Sequence, residues 1–134
     1  MKIALCLSGY FDSLVDSTSK GIDGFDHLKR HVFSKGDVDT YIHSWDMKNK
    51  QLIENLYKPK HSLFESQIDF SDIIKENGYD KIPNPPRSPQ TIYSHFYSTS
   101  ESFKYIKGKY DWVIKSRFDI GRINRNTSGP HNSN

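Results

Sequence analysis

At 134 residues the chain is sized for one domain and is too short for two ordinary ones. Aromatic residues make up 13% and supply a core, which 34% apolar content keeps modest. A net charge of +3 suits phosphate-bearing partners but falls short of the basic patch that nucleic acid demands.

The first predicted element is Ile3-Ala4-Leu5-Cys6-Leu7, an unbroken apolar run closed by Ser8-Gly9-Tyr10. Such a strand is buried on both faces, as in a parallel sheet. It is too short for the ~7–15-residue apolar segment of a signal peptide, and no stretch reaches the ~18 residues that span a bilayer. The expectation is a soluble, cytoplasmic protein with no membrane span. Cys6 is the sole cysteine, which excludes an internal disulfide and reads as a small buried hydrophobe.

Residues 11–36 read as loop and then helix. Gly21 and Gly24 argue against an early start, while Phe25, Leu28, Val32 and Phe33 keep helical spacing. Val38 to Trp45, rich in β-branched and aromatic residues, predicts the second strand. Leu52, Ile53, Leu56 and Tyr57 form the apolar stripe of a helix that Pro59 ends, and His61 to Glu65 is a short third strand. Residues 70–90 read as a surface loop, dominated in their second half by Pro83, Pro85, Pro86 and Pro89.

Ser88 as N-cap and Pro89 at the first helical position open the clearest helix. Ile92, Phe96, Thr99, Phe103 and Ile106 supply its apolar stripe, and Gly108 follows its end. Trp112 to Ile120 is the last strand. Its start, Trp112-Val113-Ile114, predicts burial; its end carries Lys115, Arg117 and Asp119 on one face and Ser116, Phe118 and Ile120 on the other. The domain thus spans 1–120, and the polar tail 121–134 is expected to be poorly ordered. The alternation of strands and helices predicts an α/β fold, a Rossmann-like three-layer sandwich with a mainly parallel sheet.

Ligands of such sheets bind beyond the carboxyl ends of the strands. That selects Ser8-Gly9-Tyr10, His43-Ser44-Trp45 and Lys115 to Asp119. Ser8-Gly9 is either a plain turn or a place where backbone N–H groups approach a phosphate. Trp45 is either core or a stacking surface for a base or sugar. His43 lacks partners at metal-ligand spacing. Asp119 is either part of a salt-bridged sheet edge or a ligand for Mg²⁺ or Mn²⁺.

Four segments in order, KIALCLSGY, DVDTYIHSWD, SHFYSTSESFKYI and YDWVIKSRFDI, resemble a group of GT-A-like glycosyltransferases of polysaccharide-synthesis clusters, large viruses and phages. The resemblance covers residues 2 to 120. It implies that Ser8, Gly9 and Tyr10 line a nucleotide-sugar donor with His43 and Trp45 nearby, and that Ser94 and Ser98 face it from the long helix. Lys115 and Arg117 would meet the diphosphate. Asp119, standing where relatives carry a metal-binding acid, would hold a divalent cation. Relatives often place an arginine after Leu-Ser-Gly; here Tyr10-Phe11-Asp12-Ser13 offers none, which moves phosphate binding to Lys20 or Lys115. The segment corresponds to the donor half, so a homo-oligomer or a partner chain would complete the glycan acceptor site. A non-catalytic scaffold module with the same fold is the alternative function. A methyltransferase-like reading lacks the glycine-rich turn it needs.

Overall fold

The computed structural model describes residues 1–12 and 20–120; the tail 121–134 lies outside the described residues. Four strands form one parallel sheet in the order β3-β2-β1-β4, with β1 Lys2–Gly9, β2 Asp37–Ser44, β3 His61–Phe64 and β4 Trp112–Arg117. The helices are α1 Lys20–His31, α2 Lys50–Tyr57, α3 Ser71–Glu76 and α4 Pro89–Phe103. No helix among the described residues is long and apolar enough to cross a membrane.

β1 is central, and Ile3 to Leu7 are buried. Alternation along the strand divides the core in two. Leu5 and Leu7 face Leu28 of α1, Ile53 and Tyr57 of α2, and Phe11, Ile42 and Phe118. Ala4 and Cys6 face the other way, with Tyr41, toward Phe103, Ile106 and Tyr110. The result is the expected α/β sandwich, with α1 and α2 on one face and α4 on the other. Cys6 is fully buried, and burial pushes its thiol pKa up to about 11, so it behaves as a hydrophobe.

Several elements depart from the sequence expectation. α1 runs through Gly21 and Gly24 from Lys20 onward, because those glycines are its contact face. A Cβ on Gly21 would lie 2.4 Å from the Phe11 ring, and one on Gly24 would lie 1.7 Å from the Phe118 carbonyl oxygen. The glycines let the helix close on the sheet rather than break it. The segment expected to be all loop contains α3 and a 3₁₀ turn, Tyr79–Lys81. Asp69 Oδ1 accepts the Ser71 N–H at 2.8 Å, and Ile74 is buried.

α4 buries Ser94, Ser98 and Ser102, and its apolar stripe is divided: Phe103 and Ile106 pack on the core, while Phe96 is 68% exposed and Ile92 39%. Serines at every fourth position bring the helix close to β1 and β2. The last strand ends at Arg117; residues 118–120 turn, and Phe118 drops into the core edge-on to Phe11 and Tyr57 at 6.0 and 5.9 Å. The start of β4 is exposed rather than buried, with Trp112 at 62%, because β4 is an edge strand.

Candidate functional site

From β1 the sheet extends to β2 and β3 on one side and to β4 on the other. The crevice at the carboxyl ends of β1 and β4 is therefore the topological switch point. Ser8 pairs there in register with Arg117. A cleft of about 410 Å³ opens at this point, and it contains Ser8, Gly9, Tyr10, Trp45, Ser94, Ser98 and Arg117 from the sequence expectation. That volume is within the ~300–1,000 Å³ usual for small-molecule sites.

The remaining expected residues stand behind or beside the cleft. His43 is fully buried beneath it. Its Nδ1 lies 2.7 Å from Ser98 Oγ and its Nε2 lies 2.8 Å from Glu65 Oε2. Ser98 Oγ also accepts the Gly9 N–H at 3.0 Å. Tyr97 donates its hydroxyl to the same Glu65 oxygen at 3.0 Å, and its own pKa is pushed up to about 12, first by burial and then by that bond to Glu65. Ser98, His43 and Glu65 have the spacing of a nucleophile, base and acid, but Ser98 is 1% exposed and its oxygen already holds Gly9. The chain therefore positions the end of β1. Gly9 adopts φ +96°, open to glycine at little cost, and gives its N–H to Ser98 rather than to a ligand. Its carbonyl accepts from Ser44 Oγ at 2.6 Å, which locks β1 to β2.

Trp45 is 5% exposed and stacks on Tyr97, with centroids 5.4 Å apart and planes at 25°. It serves as both core and cleft wall. Lys115 does not line the cleft but sets its ammonium 3.5 Å from Nε2 of His95, which does. Lys20 opens α1 and is not among the lining residues.

Asp119 turns back onto Arg117, with Nε to Oδ1 at 3.1 Å and Nη2 to Oδ2 at 3.2 Å. Both carboxylate oxygens meet the guanidinium, and none of the described lining residues of the cleft is a carboxylate. In this arrangement the Asp119 carboxylate engages the guanidinium and is not among the described lining residues. Asp119 instead orients the arginine.

Sequence reasoning missed Arg87, His95, Thr91, Gln67 and Gln90, all of which line the cleft. Thr91, Ser94, His95 and Ser98 fall at i, i+3, i+4 and i+7, a polar helical stripe legible in the sequence. Gln67 donates to Ser94 Oγ and Gln90 to the Ile68 carbonyl, which ties the loop after β3 to α4. His95 has its pKa lowered, first by desolvation and then by the charges of Lys115, Arg117 and Arg87. The site is thus a cationic cleft with hydroxyl and amide donors, and its imidazole pKa is pushed down.

Comparison with protein-family models, with curated proteins and with solved structures found no match.

Proposed function

We propose that the cleft binds a nucleoside-diphosphate sugar and that the protein transfers, or helps transfer, its sugar to a glycan or other acceptor. The observation that carries this reading is the convergence of Arg87, His95 and Arg117 with Ser8 and Tyr10 at the switch point of a parallel sheet. Two guanidiniums with hydroxyl and amide donors around them suit the oxygens of a diphosphate. Tyr10 and Trp45 offer aromatic surface at the same cleft for the base or sugar.

On this reading the side chains do the electrostatic work. As the bond from sugar to diphosphate breaks, negative charge grows on the departing phosphate oxygens, and Arg87 and Arg117 meet it. Asp119 keeps the Arg117 fork in place. His95, its pKa lowered first by burial and then by its cationic neighbours, is the lining group whose protonation responds most to a bound diphosphate. No step is assigned to a metal.

The test is melting temperature against UDP-, GDP-, dTDP- and CMP-sugars, each with Mn²⁺ and with a chelator. A ligand that binds only the folded state raises the melting point once above its dissociation constant. A shift with one nucleotide in both conditions supports the reading; a shift that needs Mn²⁺ returns the diphosphate to a metal; no shift at all removes the donor.

One observation favours a second reading, a non-catalytic module in an assembly. The edge strand β4 exposes Trp112 and Val113, at 62% and 48%. Exposed apolar surface of this kind marks a contact for another chain. Donor binding without turnover in any acceptor mixture would favour that module.

A further inference from the structure

α4 separates two different surfaces. Thr91, Ser94, His95 and Ser98 line the polar cleft. One residue further round the helix, Ile92, Tyr93 and Phe96 line a groove of about 390 Å³ whose other wall is Tyr79, Ile82 and Pro85. The groove is apolar apart from its Arg87 end, and Arg87 also lines the cleft. Large side chains stand open along it: Phe96 is 68% exposed, Ile82 49% and Tyr79 46%. A contiguous apolar patch of this kind, on a small domain, marks a binding surface. Its wall is built, because Tyr93 stacks on Phe70 at 5.7 Å, meets Tyr79 at 6.2 Å and accepts from Asn77 Nδ2 at 3.2 Å.

We propose that this groove takes the hydrocarbon chain of a long-chain phosphate ester whose phosphate lies on Arg87. The occupant follows from continuity and charge. A purely apolar partner leaves the arginine at the groove's end unused, and a free phosphate leaves the groove unused. A single chain with an anionic head uses both and places that head at the mouth of the cationic cleft. A guanidinium suits that head through paired hydrogen bonds. The proposal concerns binding alone and shares with the reading above only Arg87, which lines both the groove and the cleft.

The experiment is calorimetric binding of farnesyl phosphate below its micelle concentration, beside farnesol, inorganic phosphate and a nucleoside diphosphate. Farnesyl phosphate is expected to bind about tenfold or more tightly than either half alone. Ile92→Gln with Phe96→Gln is expected to weaken it about tenfold or more, since the chain loses its apolar wall with no new charge beside Arg87. Nucleotide affinity is expected to stay unchanged in that variant, because neither side chain lines the cleft. Both side chains are exposed, so folding is expected to survive; Phe96→Ala is the milder second variant, expected to weaken the chain in the same direction. Arg87→Gln is expected to weaken farnesyl phosphate and spare farnesol. Farnesyl phosphate binding no tighter than phosphate, or unaffected by the groove variants, overturns the proposal. So does tighter adsorption to plain phosphatidylglycerol vesicles, which makes the patch a membrane contact. Farnesyl phosphate binding without nucleotide binding upholds the groove and removes the donor reading; the reverse removes the groove alone.

Discussion

Arg117 and Asp119 face each other two residues apart, joined at 3.1 and 3.2 Å through two nitrogens and two oxygens. The strand ends between them, and the carboxylate turns back to hold the guanidinium at the cleft. This pairing separates two roles for Asp119. As a positioning residue, Asp119→Asn is expected to weaken nucleotide binding about three- to tenfold, to the same degree with Mn²⁺ and with chelator. As a metal ligand it would instead abolish a metal-dependent part. Titration of one nucleotide in both conditions decides between them.

Ser98 is expected to act through Gly9 and His43. Ser98→Ala leaves the Gly9 N–H and the His43 ring nitrogen without their buried partner. The expected loss is about 1–3 kcal/mol, read by denaturant unfolding. Nucleotide affinity is expected to fall as well, because the end of β1 forms the cleft floor. An unchanged unfolding midpoint would contradict this.

Gly24→Ala is expected to destabilise strongly. Its Cβ would meet the Phe118 carbonyl oxygen at 1.7 Å, and backbone on both sides must move. Overpacking costs about 1–3 kcal/mol in general, and here the upper end or beyond is expected. Gly78→Ala is the comparison: φ is +73° and the space is open, so only about 1–2 kcal/mol of left-handed strain is expected. Equal costs at the two positions would contradict the close approach of α1.

His95 carries the expected pH dependence. Its folded pKa lies below the unfolded value, so the folded state binds fewer protons as pH falls through the imidazole range. Its contribution to stability is therefore neutral above the unfolded pKa and turns unfavourable below it. A bound diphosphate offsets the neighbouring cations and raises this pKa, so binding takes up a proton. Affinity is expected to rise as pH falls through that range, and His95→Gln is expected to flatten the profile. Titrations at several pH values on both proteins check it.

Much of the architecture was legible because burial and alternation coincide. Ile3 to Leu7 read as strand and are strand, and the strand read over Val38 to Trp45 runs to Ser44, since β1 and β2 lie inside the sheet and their apolar runs report that burial. The same logic failed on β4. Trp112 and Val113 are apolar but lie on an edge, and composition does not reveal which strand is outermost. α4 misled in the opposite sense. The first part of its apolar stripe, Ile92 and Phe96, faces the groove, while Phe103 and Ile106 pack on the sheet core and Ser94, Ser98 and Ser102 make the close buried approach that hydropathy does not reveal. Ser8, Gly9 and Tyr10 were found because the carboxyl ends of strands could be located. Arg87 was not, because it lies in a proline-rich loop whose path depends on α3 and α4. Asp119 could be placed near Arg117 by spacing, but the turn at Phe118 that joins them at two points is a tertiary effect of core packing.

The central claim is that Arg87, His95 and Arg117 form the seat of a nucleotide diphosphate. The most direct measurement is calorimetric titration of UDP, GDP and dTDP into the wild type and Arg117→Gln, with a chelator present and CMP as the monophosphate comparison. The account predicts that one nucleoside diphosphate binds the wild type more tightly than CMP and that the variant weakens it about tenfold or more, with folding intact. No binding by any of the three diphosphates, or equal binding by both proteins, would contradict it.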